Sequence, residues 1–269
     1  MLFLKTLQNL GIYNKQAIAL FIVYFLLVFS YSRVSLGMVS LFCGISLILR
    51  SNKHLILNMF LGFAMLLLAY NAHKSMFAAV AIFPFIFIRL NKTSFLIFII
   101  AAILFASFYG KEFISYILGA NISNDDYVEF IRESAANYYT LNRADSGVAS
   151  TILSLIQIVT LTVPIIYCYT NTSAYKYLAS NSILRYFVNY STILMLIGVG
   201  LGLVVSFNSP ISYRLMFMAY IPNIIILCTL YKNQILSRST YNMFFTLFAL
   251  FSILRLSYAL YISSIAINI

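Results

Sequence analysis

The sequence predicts an all-α, polytopic membrane helix bundle of about nine transmembrane helices, forming a single domain over residues 1–269. Two observations carry this. Of the 269 residues, 62% are hydrophobic and 9% are charged, where a soluble domain averages about 45–50% and about 25%. So few charges cannot cover a soluble surface. That excludes a soluble enzyme, a disordered chain and a nucleic-acid-binding domain, despite the net charge of +11. The apolar residues also gather in runs close to the roughly 17–25 residues that cross a bilayer as a helix.

The runs lie at about 17–32, 34–49, 55–71, 75–89, 93–109, 150–170, 185–207, 215–231 and 241–262. The first ends at Tyr31-Ser32-Arg33 without a small-residue cleavage site, so it reads as a retained helix rather than a signal peptide. Only Ser32-Arg33 separates it from the second. A tight hairpin there gives nine helices and a merger gives eight. An arginine in mid-membrane is costly, which favours the hairpin. Pro84, Pro164 and Pro222 fall inside runs, as kinks or as ordinary packing residues. Gly198, Gly200 and Gly202 thin one helix and allow close backbone approach. The chain has no phosphate-binding glycine loop, which argues against an ATP-driven engine.

Cys43, Cys168 and Cys228 sit in apolar runs, spaced for neither a disulfide framework nor a zinc site. They read as small packing residues. His54 and His73 are far apart and have no metal-ligand partners in sequence, so neither a metal nor a cofactor is expected. Asn91, Asn121, Asn171 and Asn189 open glycosylation sequons, which matter only in a eukaryotic secretory route.

Charge placement gives the topology. All six acids, Glu112, Asp125, Asp126, Glu129, Glu133 and Asp145, lie between Gly110 and Ser150. No carboxylate relay can therefore run through the spans. Alternate connections carry Lys5 and Lys15; Arg50 and Lys53; Arg89 and Lys92; Lys176 and Arg185; Lys232 and Arg238. The opposite connections carry Arg33; Lys74; Lys111, Arg132 and Arg143; and Arg214. Basic residues mark the cytoplasmic side, so the N-terminus is expected inside and the loop 110–149 outside.

Within that loop, Asn124-Asp125-Asp126 is a helix start, followed by Val128, Ile131 and Ala135 at helical spacing. The reading is a short amphipathic helix at the membrane surface. It is either a solvated cap or a lid over a sugar-like substrate. As a lid, Tyr127, Tyr138 and Tyr139 supply stacking faces, and Arg132 and Arg143 bind anionic groups.

A second constellation follows from topology: Arg33, His73, Lys74, Arg214 and Arg255 all fall toward the outer side. Arg255 lies about two-thirds of the way along the last helix, where a charge costs roughly 2.5–3.5 kcal/mol on insertion scales. It either snorkels to headgroups or faces the bundle interior. Arginine presents a permanently charged planar fork that matches phosphate. A lipid-linked diphosphate at the outer face suits this set, which would stabilise charge on the leaving diphosphate. An anion transporter would use the same residues.

One stretch carries a family resemblance. It runs from Arg33 through Arg50-Ser51-Asn52-Lys53-His54 to Ala69-Tyr70-Asn71-Ala72-His73-Lys74-Ser75-Met76 and on to Pro84. With the outer-loop tyrosines and the turn Asn208-Ser209-Pro210-Ile211-Ser212-Tyr213-Arg214, it resembles the EpsG-like branch of the Wzy-type oligosaccharide repeat-unit polymerases. The resemblance covers most of the chain through short, degenerate motifs. It implies an integral glycosyltransferase of the bacterial inner membrane. Such an enzyme joins repeat units carried on undecaprenyl diphosphate at the outer face, for O-antigen, capsule or exopolysaccharide.

Carried onto this chain, Arg33, His73 and Arg214 become catalytic candidates, and Lys74 and Arg255 substrate-binding ones, beside Arg132, Arg143, Tyr138 and Tyr139 from the loop. His73 would position or deprotonate an acceptor hydroxyl, with Asp125 or Glu129 as rivals and a purely structural histidine as the alternative. The implied partners are the lipid-linked oligosaccharide, the bilayer, and the chain-length regulator and flippase of the same pathway. A flippase for a lipid-linked sugar and an O-antigen ligase-like transferase are the competing functions. Family members usually carry further helices before the position of Met1, so the chain is expected to be a short or truncated member of uncertain activity.

Overall fold

The computed structural model describes residues 2–28, 32–49, 55–72, 76–88, 91–97, 99–101, 104, 108, 148–204 and 210–267. Within them every regular element is helical. In chain order these are α1 (Leu2–Asn9), α2 (Lys15–Val28), α3 (Ser32–Ile48), α4 (Leu55–Ala72) and α5 (Met76–Ile82), which continues as a 3₁₀ turn over Phe83–Phe87. There follow α6 (Lys92–Ala101), α7 (Val148–Thr170), α8 (Thr172–Ser180) and α9 (Ser182–Val204). The chain closes with α10 (Pro210–Met218), α11 (Tyr220–Lys232) and α12 (Arg238–Ile267).

Five stretches are long and apolar enough to cross a membrane: Leu55–Ala72, Ile152–Thr170, Ser182–Leu203, Arg214–Lys232 and Arg238–Tyr261. The other four expected spans coincide with shorter apolar helices, α2, α3, α5 with its 3₁₀ turn, and α6. The outer-loop helix expected within 110–149 lies outside the described residues.

Local chemistry sets the helix boundaries. Asn14 Oδ1 accepts from Ala17 N at 2.7 Å, Asn91 from Ser94 N at 2.7 Å, Asn171 from Ala174 N at 3.0 Å and Asn181 from Leu184 N at 2.9 Å. These are N-caps, each satisfying one of the amides left free in a first helical turn. Asn91 and Asn171, read as sequons, thus have a structural role. Asn189 is buried and donates to the carbonyls of Ile86 and Ile88.

Each proline acts differently. Pro84 falls at the start of the 3₁₀ turn that ends α5. Pro164 lies inside a continuous α7. Pro222 is the third residue of α11, where no helical N–H is needed, and the single span expected at 215–231 breaks just before it, at Ala219. Ala219 N turns instead to Met216 O at 3.0 Å.

α11 is the hub. It packs against α2, α3, α7, α9, α10 and α12, and every residue from Tyr220 to Leu230 is buried. A helix apolar on all sides belongs inside a bundle, and that is its place here. α4 is the opposite case, with Asn58, Gly62, Leu66 and Ala69 buried and Ile56, Phe60 and Leu67 exposed. α3 and α4 approach through glycines: a Cβ on Gly44 would stand 2.8 Å from Gly62 O, and one on Gly62 3.0 Å from Gly44 O. Of the glycines read from sequence as close-approach sites, Gly198 fits, because its Cβ would meet Met216 Cγ at 2.6 Å. Gly200 does not, since it faces open space.

Candidate functional site at one end of the bundle

The two ends of the bundle carry different sets of charges. At one end the turn after α1 meets the last two helices. Lys232 Nζ donates to Gly11 O, Tyr241 Oη donates to Gln16 O at 2.9 Å, and the Tyr231 ring packs tilted on Tyr241 with centroids 4.5 Å apart. α3 ends there too, tied by Asn9 Nδ2 to Ser46 Oγ at 3.2 Å. Phe42, toward the end of α3, packs on Phe187 and Tyr190 near the start of α9. Lys15, Lys92, Lys176, Arg185, Lys232 and Arg238 all belong to this base-rich end. They come from the set of connections that the sequence grouped together.

The opposite end is built around two tyrosines. Tyr24 of α2 and Tyr220 of α11 are fully buried, with ring centroids 5.6 Å apart. Phe217 lies 6.1 Å from Tyr24 and 6.2 Å from Tyr220. Tyr220 Oη meets Ser252 Oγ at 2.8 Å, while Phe248 and Phe251 pack on its ring. Ser35 of α3 lies beside the Tyr24 hydroxyl, and neither oxygen has a hydrogen-bond partner among the described residues. Five helices, α2, α3, α10, α11 and α12, thus meet at one aromatic column.

Three predicted site residues lie within about one helical turn of that column. Arg33 is two residues before Ser35, Arg214 three before Phe217, and Arg255 three after Ser252. Arg33 is exposed, whereas Arg214 and Arg255 are half-buried. The Arg255 guanidinium sits 5.7 Å from the centre of the Tyr258 ring, a cation–π arrangement that shields its charge. Helix rise puts Arg255 about 21 Å along α12 from Tyr241, well inside a core about 30 Å thick.

None of the described residues is acidic. The described residues therefore give this end positive side chains and no negative ones. Among the described residues no three His, Cys, Asp or Glu side chains gather to hold a metal ion. His73, Lys74, Arg132, Arg143, Tyr138 and Tyr139 lie outside the described residues.

Sequence reading missed the column itself. Tyr24, Tyr220 and Ser252 each stand in an apolar run that gives no sign of their meeting. A polar hydroxyl in a span was the one available signal, since membrane helices join such groups across their interfaces.

The described residues define a polytopic α-helical membrane protein with three arginines near one aromatic column. The family model described as EpsG family matches residues 1–268, and the chain belongs to that family. Membership marks it as a membrane protein of polysaccharide biosynthesis. No curated protein and no solved structure matches the chain.

Proposed function

We propose that the protein polymerises lipid-linked oligosaccharide repeat units at the end carrying Arg33, Arg214 and Arg255. The observation behind this reading is that Arg33, Arg214 and Arg255, on helices far apart in sequence, each lie within about one helical turn of one aromatic column. Such a setting suits a diphosphate: arginine forks bind its oxygens, and partial burial strengthens the attraction.

In the proposed reaction an acceptor hydroxyl attacks the anomeric carbon of the donor unit. A new glycosidic C–O bond forms while the bond to undecaprenyl diphosphate breaks. The diphosphate leaves with the electron pair, held by Arg33, Arg214 and Arg255. The hydroxyl proton passes to a base, His73 in this reading, with Asp125 and Glu129 as alternatives. Lys74, Arg132, Arg143, Tyr138 and Tyr139 bind the glycan and its phosphates. The topology that goes with it has nine passes, a cytoplasmic N-terminus, and the loop 110–149 on the outer side of the bacterial inner membrane. The chain-length regulator and flippase of the pathway are the proposed protein partners.

The test is the lipid-linked glycan profile of a strain lacking the gene. Single repeat units on the outer-face carrier are expected. Units trapped on the inner face would instead indicate a flippase. Long free glycan that fails to reach lipid A core would indicate a ligase.

A further inference from the structure

A groove opens between α6, α7 and α9, far in sequence from the arginine end. It encloses about 150 Å³ and is lined by Phe95, Thr162, Thr192, Leu196, Val199 and Gly200, among others. Along α9 it runs from Thr192 to Leu203, about 16 Å of helix, or roughly one leaflet of a 30 Å core.

Two cations stand at its lower mouth, on the faces that line it. Lys92 precedes Phe95 by three residues on α6, and Arg185 precedes Thr192 by seven on α9. Lys92 is exposed. Arg185 donates a long bond, 3.4 Å, to Ala179 O and sits 5.8 Å from the centre of the Tyr186 ring, and its buried Nε has no hydrogen-bond partner among the described residues. Neither base has an acidic partner among the described residues. Just above the bases, Tyr169 stacks on Phe95 at 4.3 Å. Its hydroxyl is buried beside Thr192, without a hydrogen-bond partner among the described residues.

We infer that this groove binds one anionic glycerophospholipid: its phosphate lies between Lys92 and Arg185, its ester region faces Tyr169 and Thr192, and an acyl chain fills the apolar slot. The length of one leaflet, the two bases at the mouth and the Tyr169 hydroxyl above them, without a hydrogen-bond partner among the described residues, all fit that molecule. The inference does not depend on the glycan reaction.

The test uses the full chain, delipidated in mild detergent and offered phosphatidylglycerol or phosphatidylcholine, with bound lipid counted by native mass spectrometry. One tightly held phosphatidylglycerol is expected, with phosphatidylcholine held more weakly. Lys92→Gln and Arg185→Gln should each lower retention about fivefold, the usual electrostatic contribution of one basic residue at an anionic membrane. Gly200→Leu should abolish retention by filling the slot, because a side chain there starts into open space. Equal retention of both lipids, or phosphatidylglycerol retention unchanged in the two charge variants, would overturn the inference. The charge variants decide the matter even if Gly200→Leu fails to fold.

Discussion

Removing the Tyr220 hydroxyl should loosen α12 by a small, measurable amount. Ser252 Oγ donates to Phe248 O at 2.8 Å, so in the 2.8 Å pair Tyr220 is the donor and Ser252 the acceptor. Tyr220 Oη also reaches Phe248 O at 3.2 Å. Tyr220→Phe therefore strands no donor, and its cost should be about 1 kcal/mol, the net worth of one hydrogen bond. That lowers the folded-to-unfolded ratio roughly fivefold. Ser252→Ala leaves the tyrosine its longer bond to Phe248 O and should cost a similar amount. In the double variant the losses should overlap, with a coupling of about 0.6–1.7 kcal/mol, the range from average to maximum for polar pairs in membrane bundles. Reversible unfolding of the four proteins in lipid–detergent micelles measures it. Strictly additive losses would refute the idea that this pair ties α11 to the helix bearing Arg255.

Other expectations rest on independent contacts. Gly44→Ala should destabilise the α3–α4 pair by about 1–3 kcal/mol, because its new Cβ meets the Gly62 carbonyl rather than a movable side chain. Gly200→Ala, facing open space, should be neutral or gain up to about 1 kcal/mol from helix propensity. Gln234 holds a left-handed φ of 57° at the end of α11, with Ile235 N on Leu230 O at 3.0 Å, as Gly11 does after α1 with φ 67°. Gln234→Gly should raise thermal stability by about 1 kcal/mol, since glycine takes this conformation freely. Asn189→Ala should cost about 1–3 kcal/mol, as it strips the donor from the Ile86 and Ile88 carbonyls. Denaturation midpoints in the same micelles check all four.

Features set by short stretches of sequence were the legible ones. The apolar runs gave nearly every long helix, and two of the connections grouped by their bases, after α1 and after α11, meet at one end of the bundle. Reading for span-length runs passed over α1 and α8, although Phe3 with Leu7 and Ala174 with Leu178 carry their buried faces at helical spacing. Pro222 announced a perturbation, but whether a proline kinks a helix, as expected, or starts a new one depends on which neighbours satisfy the freed carbonyls. Gly44 and Gly62 became a pair only through packing across two helices. At the candidate site the arginines were legible because a charge in an apolar run is conspicuous. The column of Tyr24, Tyr220 and Ser252 beside them was not, since a contact such as Tyr24–Tyr220, between helices far apart in the chain, leaves no local pattern. The loop carrying Arg132, Arg143, Tyr138 and Tyr139, with His73 and Lys74, lies outside the described residues.

Chain extension by the purified protein in liposomes addresses the central claim most directly. Undecaprenyl-diphosphate-linked repeat units are supplied, and product length is compared for the unchanged protein, Arg214→Ala, Arg214→Lys and Arg238→Ala at the base-rich end. The account predicts long glycan from the unchanged protein and from Arg238→Ala. Arg214→Ala should lose at least about 100-fold in rate, as when a donor to developing negative charge is removed. Arg214→Lys should recover part of that loss, because it restores the charge without the planar fork. Full-length glycan from Arg214→Ala at the wild-type rate would contradict it.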